Sequence, residues 1–227
     1  MALLSEQDRQ VVTRHLAAIS SPVKILFFTQ TIGAPDTVLI ARQVLDEVVT
    51  LNDQIELEEV NFVLEKERAT SFGIEGVPAI VLLRGGEDTR IRFLGAPAGY
   101  EFMSLIEGLV LAGTRESGLT VENKQLIASH VTEPMDIMVF VTPTCPHCPR
   151  AVTLAHRMAV ESPFIRATCV EATEFLDLTR RYQVTGVPKT VVNETIEMLG
   201  ALPEDVFVRT AVSAPEPPAS PAQSSPS

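Results

Sequence analysis

Two cysteines stand three residues apart in the segment Val141-Thr142-Pro143-Thr144-Cys145-Pro146-His147-Cys148-Pro149-Arg150. A Cys-x-x-Cys pair at a strand-to-helix junction is a thiol redox centre, and the same spacing is half of a tetrahedral zinc site. A zinc site needs two further ligands. The nearby candidates, Cys169, His156 and His130, form no second paired motif. Cys169 shares the alternating face of an apolar strand with Ile165 and Ala167, the place of a core thiol. The redox chemistry therefore leads, with no metal and no bound cofactor beyond a redox-active Cys145–Cys148 disulfide. The strand delivers Cys145 to the sheet end, and Pro146 suits the first position of the following helix. Unpaired N–H groups and the positive end of the helix dipole favour a thiolate there. His147 adds a donor or a positive charge that further stabilises it. Cys145 then attacks a substrate disulfide, and the more shielded Cys148 resolves the mixed disulfide.

Other polar residues carry weaker signals. Glu171 follows the Cys169 strand and is a candidate proton acceptor for Cys148; a glutamate at a strand end is otherwise simply solvated. His156 and His130 read as surface or hydrogen-bonded core residues. Glu56, Glu58 and Glu59 mark a solvated strand edge that resists self-pairing.

The junction is half of a pattern that occurs twice. Ile25-Leu26-Phe27-Phe28 recurs 112 residues later as Ile137-Met138-Val139-Phe140, each after a proline, Pro22 and Pro134. Gly76-Val77-Pro78 recurs 110 residues later as Gly186-Val187-Pro188. Both tripeptides lead into short apolar strands that end at Leu94-Gly95 and Leu199-Gly200. Three landmarks in one order mark a tandem duplication of a unit of about 105 residues.

Periodicity predicts α-β-α-β-α-β-β-α in each unit, an α/β fold with a central mixed sheet flanked by helices. In the first, Ser5 caps a helix, 25–28 is a buried strand and 36–49 a helix. Strand 55–63 and helix 65–72 follow, then a hairpin of 80–83 and 91–94 around the turn 85–88, and a helix 100–111. The second unit repeats this with helix 120–131, strand 137–141, helix 149–161, strand 164–170 and helix 174–182. A hairpin of 190–192 and 195–199 and a helix 203–212 complete it. Where the second unit has Cys145 and Cys148, the first has Gly33 and Asp36, which cannot exchange thiols. The expected division is a unit lacking redox cysteines over 1–115, a redox unit over 116–212, and a disordered tail over 213–227. Residues 211–227 hold five Pro and five Ser with a single charge.

Composition excludes several classes. With 45% hydrophobic and 21% charged residues the chain has apolar surface for a sizeable core. A net charge of −11 argues against a nucleic-acid phosphate backbone or an acidic membrane surface as partner. No run of 18 apolar residues is present to span a membrane. Residues 1–10 lack a basic region followed by an apolar stretch, and three cysteines are too few for a disulfide-stapled secreted scaffold, so a cytoplasmic location is expected.

Cys145-Pro146-His147-Cys148 at a strand-helix junction, with Gly186-Val187-Pro188 ahead of a hairpin, resembles the thioredoxin superfamily. The tandem arrangement over residues 1 to about 212 is similar to the two-domain, glutaredoxin-like protein disulfide oxidoreductases of archaea and bacteria. The resemblance implies thioredoxin-like folds in tandem and activity on protein disulfides. It also implies that Pro188 is cis beside the disulfide and that Val187 supplies main-chain contacts to bound polypeptide; a strand-start proline is the plainer role for Pro188. By the same resemblance, a thioredoxin-reductase-like flavoenzyme using NADPH recycles the dithiol, or a peroxiredoxin accepts its electrons. The family commonly carries a Cys-x-x-Cys in each unit, and its absence from the first puts a two-site relay and isomerase activity in doubt. With Pro78 kept, the first unit either binds extended peptide or only supports the second. The tandem N-terminal portion of the alkyl hydroperoxide reductase flavoprotein is also similar, with one dead and one live unit, although no nucleotide fingerprint follows here. A third possibility is a tandem binding or scaffold module whose redox pair is incidental. Pro146-His147 favours an oxidising disulfide, whereas the expected compartment favours reduction.

Overall fold

Apolar runs of strand length between amphipathic helices must be covered on both faces, and the two repeats meet this need with one shared sheet. In the computed structural model, described over residues 4–214, the first repeat forms α1 (Glu6–Leu16), β1 (Val23–Thr29), α2 (Thr37–Val48), β2 (Ile55–Asn61), α3 (Lys66–Ser71), β3 (Ala79–Arg84), β4 (Glu87–Leu94) and α4 (Glu101–Thr114). The second forms α5 (Val121–His130), β5 (Met135–Val141), α6 (Cys148–Glu161), β6 (Ile165–Glu171), α7 (Leu176–Arg181), β7 (Lys189–Val192), β8 (Ile196–Leu199) and α8 (Glu204–Ala211). The order matches the sequence expectation, while edges move by a few residues. The largest shift is in β4, which starts at Glu87 because Gly85 and Gly86 alone make the turn, at φ 55° and 88°. The register then slips between Val81 and Leu83, with Arg90 at φ 64° in the bulging partner strand. The tail expected over 213–227 lies outside the described residues beyond Ser213 and Ala214, which extend the last turn of α8.

The strands form one mixed sheet in the order β2-β1-β3-β4-β6-β5-β7-β8. Within each repeat the first strand pairs parallel with the second and antiparallel with the third. The repeats join through β4 and β6, which run parallel with Ile91, Arg92, Phe93 and Leu94 opposite Ala167, Thr168, Cys169 and Val170. Arg90 ties this seam by donating to the carbonyls of Ile165 (3.2 Å) and Ala159 (2.8 Å). The outer edges are β2 and β8. As the acidic pattern predicted, Glu56, Glu58 and Glu59 lie on an edge strand, where Lys24, Arg68 and Arg42 pair with them.

Alternation along each strand separates two faces. Ile25 and Phe27 enter a continuous core that runs through both repeats under α1, α2, α4, α5, α6 and α8. Leu26 and Phe28 face the other side, where α3 and α7 cover two smaller cores. No helix among the described residues is long and apolar enough to cross a membrane.

His156, on α6, lies within the larger core at 1% exposure, edge-on to Phe93 at 5.0 Å between ring centroids. It is a core residue, as one of its two expected roles had it, but neither ring nitrogen has a hydrogen-bond partner. Burial pushes its pKa down to about 3, against a weaker upward pull from the Arg92 main chain. An imidazole that is neutral when folded and ordinary when unfolded costs stability as pH falls from about 6.5 toward 3, because only the unfolded chain binds the proton. His156→Leu is therefore expected to flatten the acid limb of the stability profile, by up to a few kcal/mol near pH 4. Guanidinium unfolding of both proteins between pH 4 and 8 checks this; parallel profiles would contradict it.

Candidate functional site

β5 ends at Val141 and α6 begins at Cys148, so residues 142–147 carry the chain over the sheet end. Cys145 N–H donates to Thr142 O (3.1 Å) and Cys148 N–H to Cys145 O (3.4 Å), which places a tight turn ahead of the helix. This corrects the expectation that Pro146 opens the helix. His147 occupies the cap and Pro149 sits in the first turn, because the Cys145 carbonyl already serves the turn. Cys145 and Cys148 are joined in a disulfide with Cα atoms 5.5 Å apart. Cys145 keeps 8% of its surface and Cys148 none, while Thr144, Pro146 and His147 around them are exposed.

The antiparallel neighbour of β5 is β7, and the turn before it holds the Val187–Pro188 peptide bond in cis. The Pro188 carbonyl accepts from Gly200 N–H at 2.8 Å. Among the described residues, neither the N–H nor the C=O of half-buried Val187 has a hydrogen-bond partner. Gly186 and Gly200 border open space. The same end of the molecule therefore presents a disulfide, an unpaired stretch of main chain and open space beside Gly186 and Gly200.

The first repeat has the same frame with its space filled. Val77–Pro78 is also cis, and Pro78 O accepts from Gly95 N–H at 2.9 Å. Gly33 and Asp36 stand where the cysteines would be. Yet a side chain at Gly76 would strike the Phe175 ring, and one at Gly95 would strike Glu171 and Glu174. Glu174 also accepts from Ala96 N–H at 2.8 Å. Residues 171–175 of the second repeat thus occupy the groove of the first. This packing is compatible with a supporting role for the first repeat.

In exchange, the first repeat contributes a carboxyl group to the second. Helices α4 and α6 start at the same end of the sheet and pack side by side, so Glu101 heads one and Cys148 the other. Glu101 is 2% exposed; its Oε2 accepts from Ser104 Oγ (2.6 Å) and from the Cys169 thiol (3.7 Å). Burial pushes its pKa up to about 7, opposed by the Ser104 and Cys169 hydrogen bonds and reinforced by the Glu171 charge. Burial, and then Glu101, push the Cys169 thiol up as well, and Cys169 is the buried core thiol expected of it. Glu171 is buried at the end of β6, opposite Val141. Its Oε2 accepts from Thr173 Oγ1 at 2.7 Å and its Oε1 has no partner. Glu101 was missed from the sequence because it belongs to the other repeat and to no motif. His130 is exposed and bonded within α5. Among the described residues no group of three or more His, Cys, Asp or Glu side chains is arranged to hold a metal ion.

Fold and site together define a tandem of two thioredoxin-like folds with a single Cys-x-x-Cys disulfide, carried by the second repeat. Residues 135–213 match the family model described as Thioredoxin domain. Over the whole tandem, the chain superposes on the N-terminal domain of alkylhydroperoxide reductase AhpF from Enterococcus faecalis with a TM-score of 0.85 at 25% identity, covering 92% of this chain and 99% of that one. A protein disulfide oxidoreductase from Aeropyrum pernix superposes with a TM-score of 0.83 at 28% identity, covering 92% of each chain. Among curated relatives, the alkyl hydroperoxide reductase AhpF of Xanthomonas campestris is 24% identical over 191 residues, which is 84% of this chain and 33% of the relative. That of Staphylococcus epidermidis is 30% identical over 151 residues, 65% of this chain and 27% of the relative. The chain spans about a third of the length of these relatives or less.

Proposed function

We propose that the chain reduces protein disulfides through Cys145 and Cys148, acting as a cytoplasmic electron carrier. The observation that carries the reading is a disulfide at the head of α6, of which Cys145 alone keeps some surface, at the same end of the sheet as the unpaired main chain of Val187. It takes the chain as a cysteine-free unit, 1–115, that supports a redox unit, 116–212. The Cys145 thiolate attacks one sulfur of a substrate disulfide, forming a mixed disulfide and releasing the other sulfur as a thiolate. Cys148 then gives up its proton and attacks Cys145 Sγ, which closes the Cys145–Cys148 disulfide and frees the second substrate thiolate. Two electrons pass to the substrate. The helix dipole and His147 stabilise the Cys145 thiolate, Pro146 shapes the turn, and Val187 and Pro188 align the substrate backbone. An NADPH-dependent flavoenzyme of the thioredoxin-reductase kind restores the dithiol. The likeness to AhpF N-terminal domains supports a second reading, in which the electrons go to a peroxiredoxin.

We propose two buried carboxyl groups as candidate proton acceptors for Cys148: Glu171 at the end of β6, and Glu101 at the head of α4, the helix that packs beside α6. A base that titrates near the working pH is the most effective one, and Glu101 is pushed up to about 7. Glu101→Gln is expected to slow resolution of the mixed disulfide by about 10- to 100-fold and to remove an inflection near pH 7 from its pH–rate profile. The same change should stabilise the fold above neutral pH. A carboxyl raised from its unfolded value makes stability fall as pH rises through about 7, because the unfolded chain has already lost the proton. A purely structural Glu101 would leave the inflection in place.

Dithiothreitol-driven reduction of insulin tests the function itself. Acceleration over dithiothreitol alone is expected, and its absence would remove the enzymatic reading.

A further inference from the structure

The contact between the repeats places one more side chain of the cysteine-free repeat beside the disulfide. Tyr100 N–H donates to Pro143 O at 3.0 Å, and Pro143 precedes Cys145 by two residues. The preceding Gly99, at φ 60°, lies so close to the Pro143 carbonyl that no side chain fits there. Main-chain contact thus pins Tyr100 to the redox loop, while its side chain stays 51% exposed. The chain has only two tyrosines and no tryptophan. The other, Tyr182, is buried, stacks near Phe140 and donates its hydroxyl to Glu194 at 3.1 Å. Among the described residues the Tyr100 hydroxyl has no hydrogen-bond partner and its ring no aromatic or cationic one. An amphipathic ring held in place and left without partners is the kind of group that anchors a bound polypeptide.

Its position fits one occupant. In the sheet order β4-β6-β5-β7, Tyr100 follows β4 and Val187 precedes β7, so the two flank the loop of Cys145 from opposite sides. A chain that pairs its backbone with Val187 and brings its disulfide to Cys145 continues toward Tyr100. We propose that Tyr100, carried by the cysteine-free repeat, is a substrate-contact residue of the disulfide centre, and that its ring packs on an apolar or aromatic side chain in the extended segment flanking the substrate's disulfide. The site for protein substrates is then composite. One repeat supplies the sulfur chemistry and the backbone partner, and the other supplies the aromatic wall. This inference rests on the proposed oxidoreductase function and goes beyond it by naming what the substrate must carry.

Tyr100→Ala and Tyr100→Phe in the full chain, assayed on insulin and on the small disulfide 5,5′-dithiobis(2-nitrobenzoate), test the proposal. Both variants keep the main-chain bond to Pro143. For Tyr100→Ala the loss of kcat/KM on insulin should exceed the loss on the small disulfide by about tenfold, mostly through KM. Tyr100→Phe should retain most of the insulin activity. Equal losses on both substrates would make Tyr100 a support of the loop and overturn the proposal, as would no loss on insulin. A wild-type protein that reduces neither substrate would instead bring down the oxidoreductase reading; with a wild type active on both, the two variants decide.

Discussion

Cys148→Ser should turn the protein from a catalyst into a trap. Cys145 still attacks a substrate disulfide and expels one thiolate, but no second sulfur displaces it from the mixed disulfide. Covalent adducts should accumulate, visible as species of summed mass that dithiothreitol releases, while insulin reduction falls to the rate of dithiothreitol alone. Cys145→Ser should show neither turnover nor adducts. The remaining thiol of Cys148 has no exposed surface, whereas Cys145 has some. Adducts of equal yield in both variants would show that the burial difference does not set the order of attack. Mass spectrometry of the captured proteins also decides between the two proposed electron acceptors: a spread of unrelated disulfide proteins supports the general reading, and a peroxiredoxin supports the other.

The second large effect is on folding. A fragment of residues 116–214 is expected to lose cooperative unfolding and to expose apolar surface, although it contains both cysteines of the redox pair. Cutting the chain there strips β4 from β6 and opens a row of unpaired main-chain groups in the middle of the sheet. It also removes Phe93, Leu105, Ile106 and Leu109 from the core that both repeats share. Each such side chain contributes about 1.5–3 kcal/mol when buried, against a net stability of about 5–15 kcal/mol for a domain. The fragment further loses Ala96 N–H for Glu174 and the Arg90 guanidinium for two carbonyls. Guanidinium titration followed by circular dichroism, with a dye that reports apolar surface, measures both effects. A sharp transition at the full chain's midpoint would show that the second repeat is self-sufficient.

Much of this molecule is legible in its sequence because each repeat is locally consistent. The apolar runs at Ile25 and Ile137 become central strands, and the paired Gly-Val-Pro tripeptides both hold a cis proline. Glu56, Glu58 and Glu59 lie on an outer edge because only an edge tolerates such a row of charges. What escaped was the relation between the repeats. Residues 87–94 look like the second strand of an ordinary hairpin, and nothing in their pattern says that the far side pairs with β6. Glu101 and Tyr100 escaped for the same reason, since each belongs to the first repeat and makes its contact with the second, at Cys169 and at Pro143. The helix expected from 149 begins at Cys148, but the place of Pro146 was not legible, because Pro146 and Pro149 both suit a first turn and the hydrogen bond that decides between them is visible only in three dimensions.

The way β4 meets β6 also bears on growth and arrest. The last strand of one repeat pairs with the second strand of the next, so the units are related by a shift along the sheet rather than by a rotation that closes on itself. Such a step, once taken, leaves the same two unlike ends behind: a β2 at one side and a β8 at the other. The acidic row on β2 makes that free edge a poor template for the β8 of another molecule.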